Sequence, residues 1–194
     1  MKIILVSVSV ILLGFLAVQA YAMSTSRNIE SYPYTVIQEY GDFEIRQYEA
    51  SLFTSVTMST DKYEEASGKG FSALAGYIFG GNERNEKIAM TSPVAMSLED
   101  SMTMMFLVPK AYKKEDLPKP NTESITITEM PAKKVAAITF GGWADSEKIV
   151  QYQAELRKAL DREGIAYTNK SYFLGYNPPF EMVGRKNEVI IELK

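Results

Sequence analysis

Four glutamates, Glu39, Glu44, Glu181 and Glu188, lie next to apolar stretches where burial could raise a carboxyl pKa and make a general base. They stand out because the usual catalytic groups are missing: the chain has neither histidine nor cysteine. Without imidazole or thiolate, a Ser-His-Asp or Cys-His nucleophile cannot be assembled, and neither can a zinc site of the usual nitrogen and sulfur type. Gly70-Phe71-Ser72 lacks the second glycine of a nucleophile elbow. No phosphate-cradling glycine loop and no calcium-loop pattern occurs. Carboxylate, lysine, tyrosine, serine and threonine remain, and these suit binding better than covalent chemistry.

The second chemical feature is methionine. Met90, Met96, Met102, Met104 and Met105 crowd one stretch of the chain. A thioether is flexible and polarisable, and fills both irregular core gaps and adaptable binding surfaces. Two of these methionines flank a Thr-Ser-Pro break in KIAMTSPVAM, residues 87–96, which otherwise reads as a strand. FLGYNPPFEM, residues 173–182, has the same shape, so that SPVAM matches PPFEM. Proline cannot donate to a sheet ladder, so Pro93 and Pro179 mark bends or edges. Two equivalent bends would open the sheet at symmetry-related points and border a cleft.

The elements that hold these residues repeat. Residues 34–39 and 43–48 read as strands around a Gly41-Asp42 turn, and residues 51–58 alternate as a half-buried strand does. A helix follows, with Asp61 as its expected cap and Glu64 as the reciprocal partner. Phe71, Leu74, Ala75 and Ile78 form its apolar stripe. Gly68 and Gly70 interrupt that helix at a cost of roughly 1 kcal/mol each against alanine, and let a backbone or a flat ligand come close. Residues 102–108 form another strand, and a Pro-rich charged segment, residues 111–123, links to a second half. There Ile127 answers to Ile45, Val135 to Phe53, Ile138 to Val56 and Phe140 to Met58. Asp145 or Ser146 caps a second helix with Ile149, Tyr152, Leu156, Ala159 and Leu160 on its stripe, and residues 171–176 and 187–193 close the chain as strands. Trp143, just before that helix, reads as core packing. The pattern predicts an α+β fold with an antiparallel sheet and a pseudo-twofold between halves, at about 34–110 and 123–194.

Residues 1–22 have the three parts of a secretory signal peptide: Lys2, an apolar run over 3–18, and Ala20-Tyr21-Ala22 before the expected cut. Residues 23–33 read as a flexible spacer and 34–194 as one domain. The expected location is secreted or periplasmic, with no stable membrane span once the leader is removed. Net charge is −3 with both signs interspersed, so nucleic acid is not an expected partner. Oligomeric state is not readable.

Several motifs together resemble the SOUL haem-binding protein family: KIAMTSPV (87–94), FLVP (106–109), TFGGWA (139–144), GYNPP (175–179) and GRKNEV (184–189). The resemblance runs over residues 34–194. It implies a distorted eight-stranded antiparallel β-barrel with two helices, built of two similar halves. It also implies a shallow apolar groove beside the first helix, which takes haem or another tetrapyrrole. On this reading the chain is a non-catalytic carrier or sequestering protein for a small apolar planar ligand. The groove is expected at Phe71, Leu74, Ala75, Ile78, Met90, Met96, Tyr176, Phe180 and Arg185. With no histidine, Tyr77 and Tyr176 are the expected oxygen donors to iron, and haem or porphyrin binding would be weak and held by burial. Arg84, Lys87, Arg185 and Lys186 are the bases nearest the relevant loops for propionates. Two alternatives stand beside this: an effector-type domain for other small amphipathic molecules, and a glutamate-dependent enzyme in the same cleft.

Overall fold

Strand alternation and two amphipathic helices set the architecture. A computed structural model of the protein describes residues 29–99 and 101–194, with residues 7, 12, 14, 18 and 19 of the leader. The expected leader cut and the spacer up to residue 28 lie outside the described residues. The first half holds β1 (Tyr34–Glu39), β2 (Glu44–Tyr48), β3 (Ser51–Thr57), α1 (Tyr63–Ile78), β4 (Val94–Ser97) and β5 (Thr103–Leu107). The second holds β6 (Ile125–Met130), β7 (Lys133–Gly141), α2 (Ser146–Arg162), β8 (Tyr167–Gly175) and β9 (Lys186–Leu193). The fold is α+β: two helices on a curled, wholly antiparallel nine-stranded sheet of order β1-β2-β7-β9-β8-β4-β5-β3-β6. β1 and β6 end the order, so the sheet is an open half-barrel.

Exchanging β2 with β6, β3 with β7, β4 with β8 and β5 with β9 reads that order backwards, with β1 added at one edge. The register repeats too: Ile45 faces Ala136 as Ile127 faces Thr54. Each half therefore lends one strand, β2 or β6, to the other half's sheet, and the halves interlock as one domain. Successive side chains point to opposite faces. Met96, Met102 and Met104 pack with Leu74, Ile149 and Leu160 under the helices, while Met105, Phe53 and Leu174 pack on the other face.

Two local expectations are corrected. Strand β4 begins only at Val94, because residues 87–91 serve a different purpose: the Ile88 N–H donates to the Ile78 carbonyl (2.8 Å) and closes the end of α1. Pro93 thus precedes a strand, whereas Pro178 and Pro179 follow one, so the two proline stretches are not symmetry mates. Antiparallel pairing of Val94 with Gly175 instead brings both to the same rim. Nor does Asp61 cap α1. Lys62 occupies the cap position without a side-chain bond, and Glu64 reaches across to α2. It accepts from the Ser146 N–H (2.8 Å) and hydroxyl (2.6 Å), while the Tyr63 N–H donates to the Ser146 hydroxyl oxygen (3.3 Å). These hydrogen bonds from Ser146 hold the Glu64 carboxyl below its ordinary pKa. The helix starts cap each other, which ties the first turn of α1 to the first turn of α2. Asp145 caps α2 as expected, accepting from the Lys148 N–H at 2.8 Å.

Candidate functional site

Helix α1 has two useful stripes. Ala66, Gly70, Leu74, Ala75 and Ile78 face the sheet and are buried. Gly70 lets the helix approach closely there, since a Cβ would lie 3.0 Å from Met58 Cε and 3.1 Å from Met104 Cβ, tighter than ordinary contact. Tyr63, Ser67, Gly68, Phe71 and Ser72 form the neighbouring stripe, and beneath it lies a cavity of about 720 Å³. Ligand pockets commonly span about 300–1,000 Å³. Its floor comes from β4, β5 and β8: Val94, Met96, Met104 and Phe173. Tyr63 meets Phe173 edge to face, with ring centroids 5.2 Å apart. A lip over residues 177–185 and the Trp143-Ala144 corner form the far wall.

Of the expected groove residues, Phe71, Met90, Met96, Tyr176, Phe180 and Arg185 come together at this cavity. Leu74, Ala75 and Ile78 do not. They are the core-facing stripe, because strong apolar periodicity marks the helix face pressed on the sheet, and a ligand-facing stripe needs only small residues and a few large ones. Phe71 sits where the stripes meet, lining the cavity and packing 5.4 Å from Phe106. Trp143 is half exposed and lines the cavity, contrary to the core role expected of it. It stacks under the Arg185 guanidinium, 4.0 Å from its ring centroid. Tyr63, Ser67 and Ser72 were not singled out by their sequence pattern. The interruption of the helix by glycine was their only signal.

The polar groups are largely committed. Arg185 donates through Nη1 to the carbonyls of Pro178 (2.9 Å) and Glu181 (2.7 Å), and through Nη2 to that of Asn177 (3.3 Å). It holds the lip in shape. Burial draws its pKa down, yet an arginine stays charged. Among the other expected bases, Lys186 pairs with Glu188 at 2.9 Å and Arg84 with Glu86 at 3.4 Å. Neither they nor Lys87 line the cavity. The Tyr77 hydroxyl is buried and donates to the Pro118 carbonyl at 2.8 Å, outside the cavity. The Tyr176 hydroxyl donates to Glu188 Oε2 at 2.6 Å. Burial, then the Glu188 charge, pushes the Tyr176 pKa well up. Both hydroxyls are engaged as donors within the protein, and only Tyr176 lines the cavity. The thioethers of Met90, Met96 and Met104 are the soft donors that remain on the wall. Among the described residues no group of three or more acids could hold a metal ion.

Behind Tyr176, on β9, Glu188 is fully buried and forms a fork with Arg46: Nη1 to Oε2 at 2.9 Å and Nη2 to Oε1 at 3.0 Å. The Thr139 hydroxyl donates to the same carboxylate at 3.2 Å. Burial pushes this carboxyl upward, but the hydrogen bonds and charge of Arg46, then Tyr176 and Lys186, outweigh it and leave the pKa below its ordinary value. Glu188 is therefore an ionised structural anchor rather than a base with a raised pKa.

The model of the SOUL heme-binding protein family matches residues 29–192. Heme-binding protein 1 of Xenopus laevis is 32% identical over 156 residues, covering 76% of this chain and 81% of its own. Heme-binding protein 1 of Sus scrofa is 30% identical over 177 residues, covering 84% and 92%. Among solved structures, the EcmrR C-terminal domain superposes with a TM-score of 0.62 over 83% of this chain and 98% of its own, at 10% identity, which is a likeness of fold alone. The family match spans both interlocked halves and every wall of the cavity, and the chain belongs to the SOUL heme-binding protein family.

Proposed function

We propose that this protein binds haem or another tetrapyrrole in the cavity under α1, and that it carries or sequesters the ligand outside the cytoplasm without transforming it. The observation that carries this reading is the cavity wall, with Tyr63, Phe71, Phe173, Trp143 and three methionines and no aspartate, glutamate, lysine or histidine. A flat apolar macrocycle suits such a wall. Removing a few hundred Å² of apolar area from water contributes about 5–10 kcal/mol at roughly 25 cal/mol per Å², before the cost of association. The names of the relatives support the ligand class. The leader pattern supports export.

Iron would supply ligand exchange and redox chemistry once bound. The chain's own part is to bury the ring between α1 and β8 and to exclude water. The test is a titration with hemin and with iron-free protoporphyrin, followed by absorbance and Trp143 fluorescence. Both are expected to saturate near one equivalent with affinities within about tenfold of each other, about 1.4 kcal/mol. Failure of both would sink the proposal. A much tighter hemin complex would move the main contribution from burial to iron ligation. A second expectation concerns Tyr176→Phe. It removes a hydrogen bond to a buried carboxylate, which costs about 1.5–3 kcal/mol of stability. The absorption maximum of the hemin complex should stay where it is, because that oxygen is already engaged. A thermal melt and a spectrum check both halves.

A further inference from the structure

Helix α1 brings to the cavity a phenol that no other part of the described protein uses. Tyr63 stands in its first turn, with Phe71 further along the same stripe and only the small Ser67 and Gly68 between them on the cavity wall. The Tyr63 backbone N–H is taken by Ser146, and its ring meets Phe173 on the floor. Its hydroxyl, by contrast, has no hydrogen-bond partner among the described residues. Nor is that hydroxyl sealed in, as the partnerless one of Tyr32 is. The second tyrosine on the wall, Tyr176, already donates to Glu188. Tyr63 is thus the cavity tyrosine whose oxygen is uncommitted.

Burial, the largest influence, raises the Tyr63 pKa; the Arg185 charge opposes it, and Glu64 and Asp145 add to the rise. Among the described residues, Arg185 is the only charged side chain on the cavity wall. A metal cation at the oxygen would reverse this balance, since it becomes the largest local charge. Ferric iron is a hard ion, and phenolate oxygen is one of the ligands haem proteins give it. A soft thioether is the poorer match. Met96 and Met104 are moreover packed under the helices, 1% and 2% exposed, which leaves Met90 as the competing donor. We propose that Tyr63 ligates the iron of a haem held in this cavity, an inference that rests on the ligand class proposed above. The phenol O–H bond breaks, its oxygen takes the place of a water on the ferric ion, and the proton passes to solvent; the iron keeps its oxidation state. Ionising a phenol whose pKa is raised offsets most of the gain from ligation, so burial of the ring still sets the affinity.

The test compares the full chain with Tyr63→Phe, which keeps the ring contact with Phe173 and the backbone bond to Ser146 and removes a hydroxyl that has no partner. Its melting temperature is therefore expected to match the wild type. Hemin and iron-free protoporphyrin are titrated into both proteins. Protoporphyrin affinity is expected to be the same in the two, and hemin affinity to fall by less than about tenfold in the variant. The ferric spectrum carries the decision: the phenolate-to-iron charge-transfer band, and the iron–phenolate modes in resonance Raman, are expected in the wild type and lost in Tyr63→Phe. A ferric spectrum that Tyr63→Phe leaves unchanged overturns the assignment, and one that Met90→Leu alters instead gives the iron to the thioether. The two possible failures are distinct. If protoporphyrin does not bind the wild type, the cavity is not a ring site and this inference falls with that reading; if protoporphyrin binds and the ferric spectrum ignores Tyr63, the inference alone falls.

Discussion

Replacing Gly68 by leucine is expected to make the protein more stable and its ligand complex weaker. Gly68 is helical, exposed and on the cavity wall, and a Cβ there would meet nothing within 4 Å. Glycine inside a helix costs about 0.8–1 kcal/mol against good helix formers, so the apo protein should gain about that much. For a chain of this size that is roughly 2–4 °C in melting temperature. The leucine side chain would occupy space the ring needs. Overpacking of this kind costs about 1–3 kcal/mol, and binding of hemin or protoporphyrin should fall about 10- to 100-fold. Opposite signs in the two measurements separate a blocked site from a damaged fold. Gly76→Ala is the control: it is equally open and in the same helix but away from the cavity, so it should stabilise and leave the titration alone. Unchanged binding in Gly68→Leu would remove α1 from the ligand site.

That variant also shows what was legible in the sequence. The repeat was, because Ile45 and Ile127 sit at matching points of two strand exchanges and must both present apolar faces to the helices. The two helix glycines were legible as places of close approach, though not which one meets protein and which meets open space. The resemblance places the stripe of Leu74, Ala75 and Ile78 in the groove because it puts the ligand beside this helix, while periodicity reports burial and says nothing about what covers the face. Trp143 read as core because a lone large aromatic after a strand usually packs inward. Its true position depends on Arg185, far away in sequence. The mutual capping of α1 and α2 was hidden for the same reason: Glu64 carries the residue type of a capping box but serves the other helix. Glu188 was visible as an acid beside an apolar strand, yet its partner Arg46 lies at the other end of the chain.

That pairing supports the largest stability prediction. Glu188 is fully buried and Arg46 is 3% exposed, joined by two hydrogen bonds and supported by Tyr176 and Thr139. Removing one partner from a buried pair costs about 3–5 kcal/mol, and the lower end is expected here because Arg46 keeps Glu44 at 2.7 Å and Glu188 keeps Lys186 at 2.9 Å. Glu188→Gln should therefore lower the melting temperature by about 10 °C, at roughly 2–4 °C per kcal/mol. Arg46→Met should cost a similar amount. The double variant Arg46→Met, Glu188→Leu should lose less than the sum of the single losses by about 1–3 kcal/mol, because neither half of the fork is left buried without the other. The pH dependence has a definite sign. The folded pKa of Glu188 is depressed, so its contribution is complete above the unfolded carboxyl value of about 4.3 and is lost as pH falls through the lower folded value. Urea unfolding at a series of pH values should show the wild type weakening below about pH 4, with a shallower slope in Glu188→Gln. Glu192, also depressed once Lys133 and Tyr172 outweigh burial, keeps its own share of the slope in both proteins. If Glu188→Gln costs less than about 1 kcal/mol, the level of an exposed pair, the fork to Arg46 does not anchor β9 to β2 through β7.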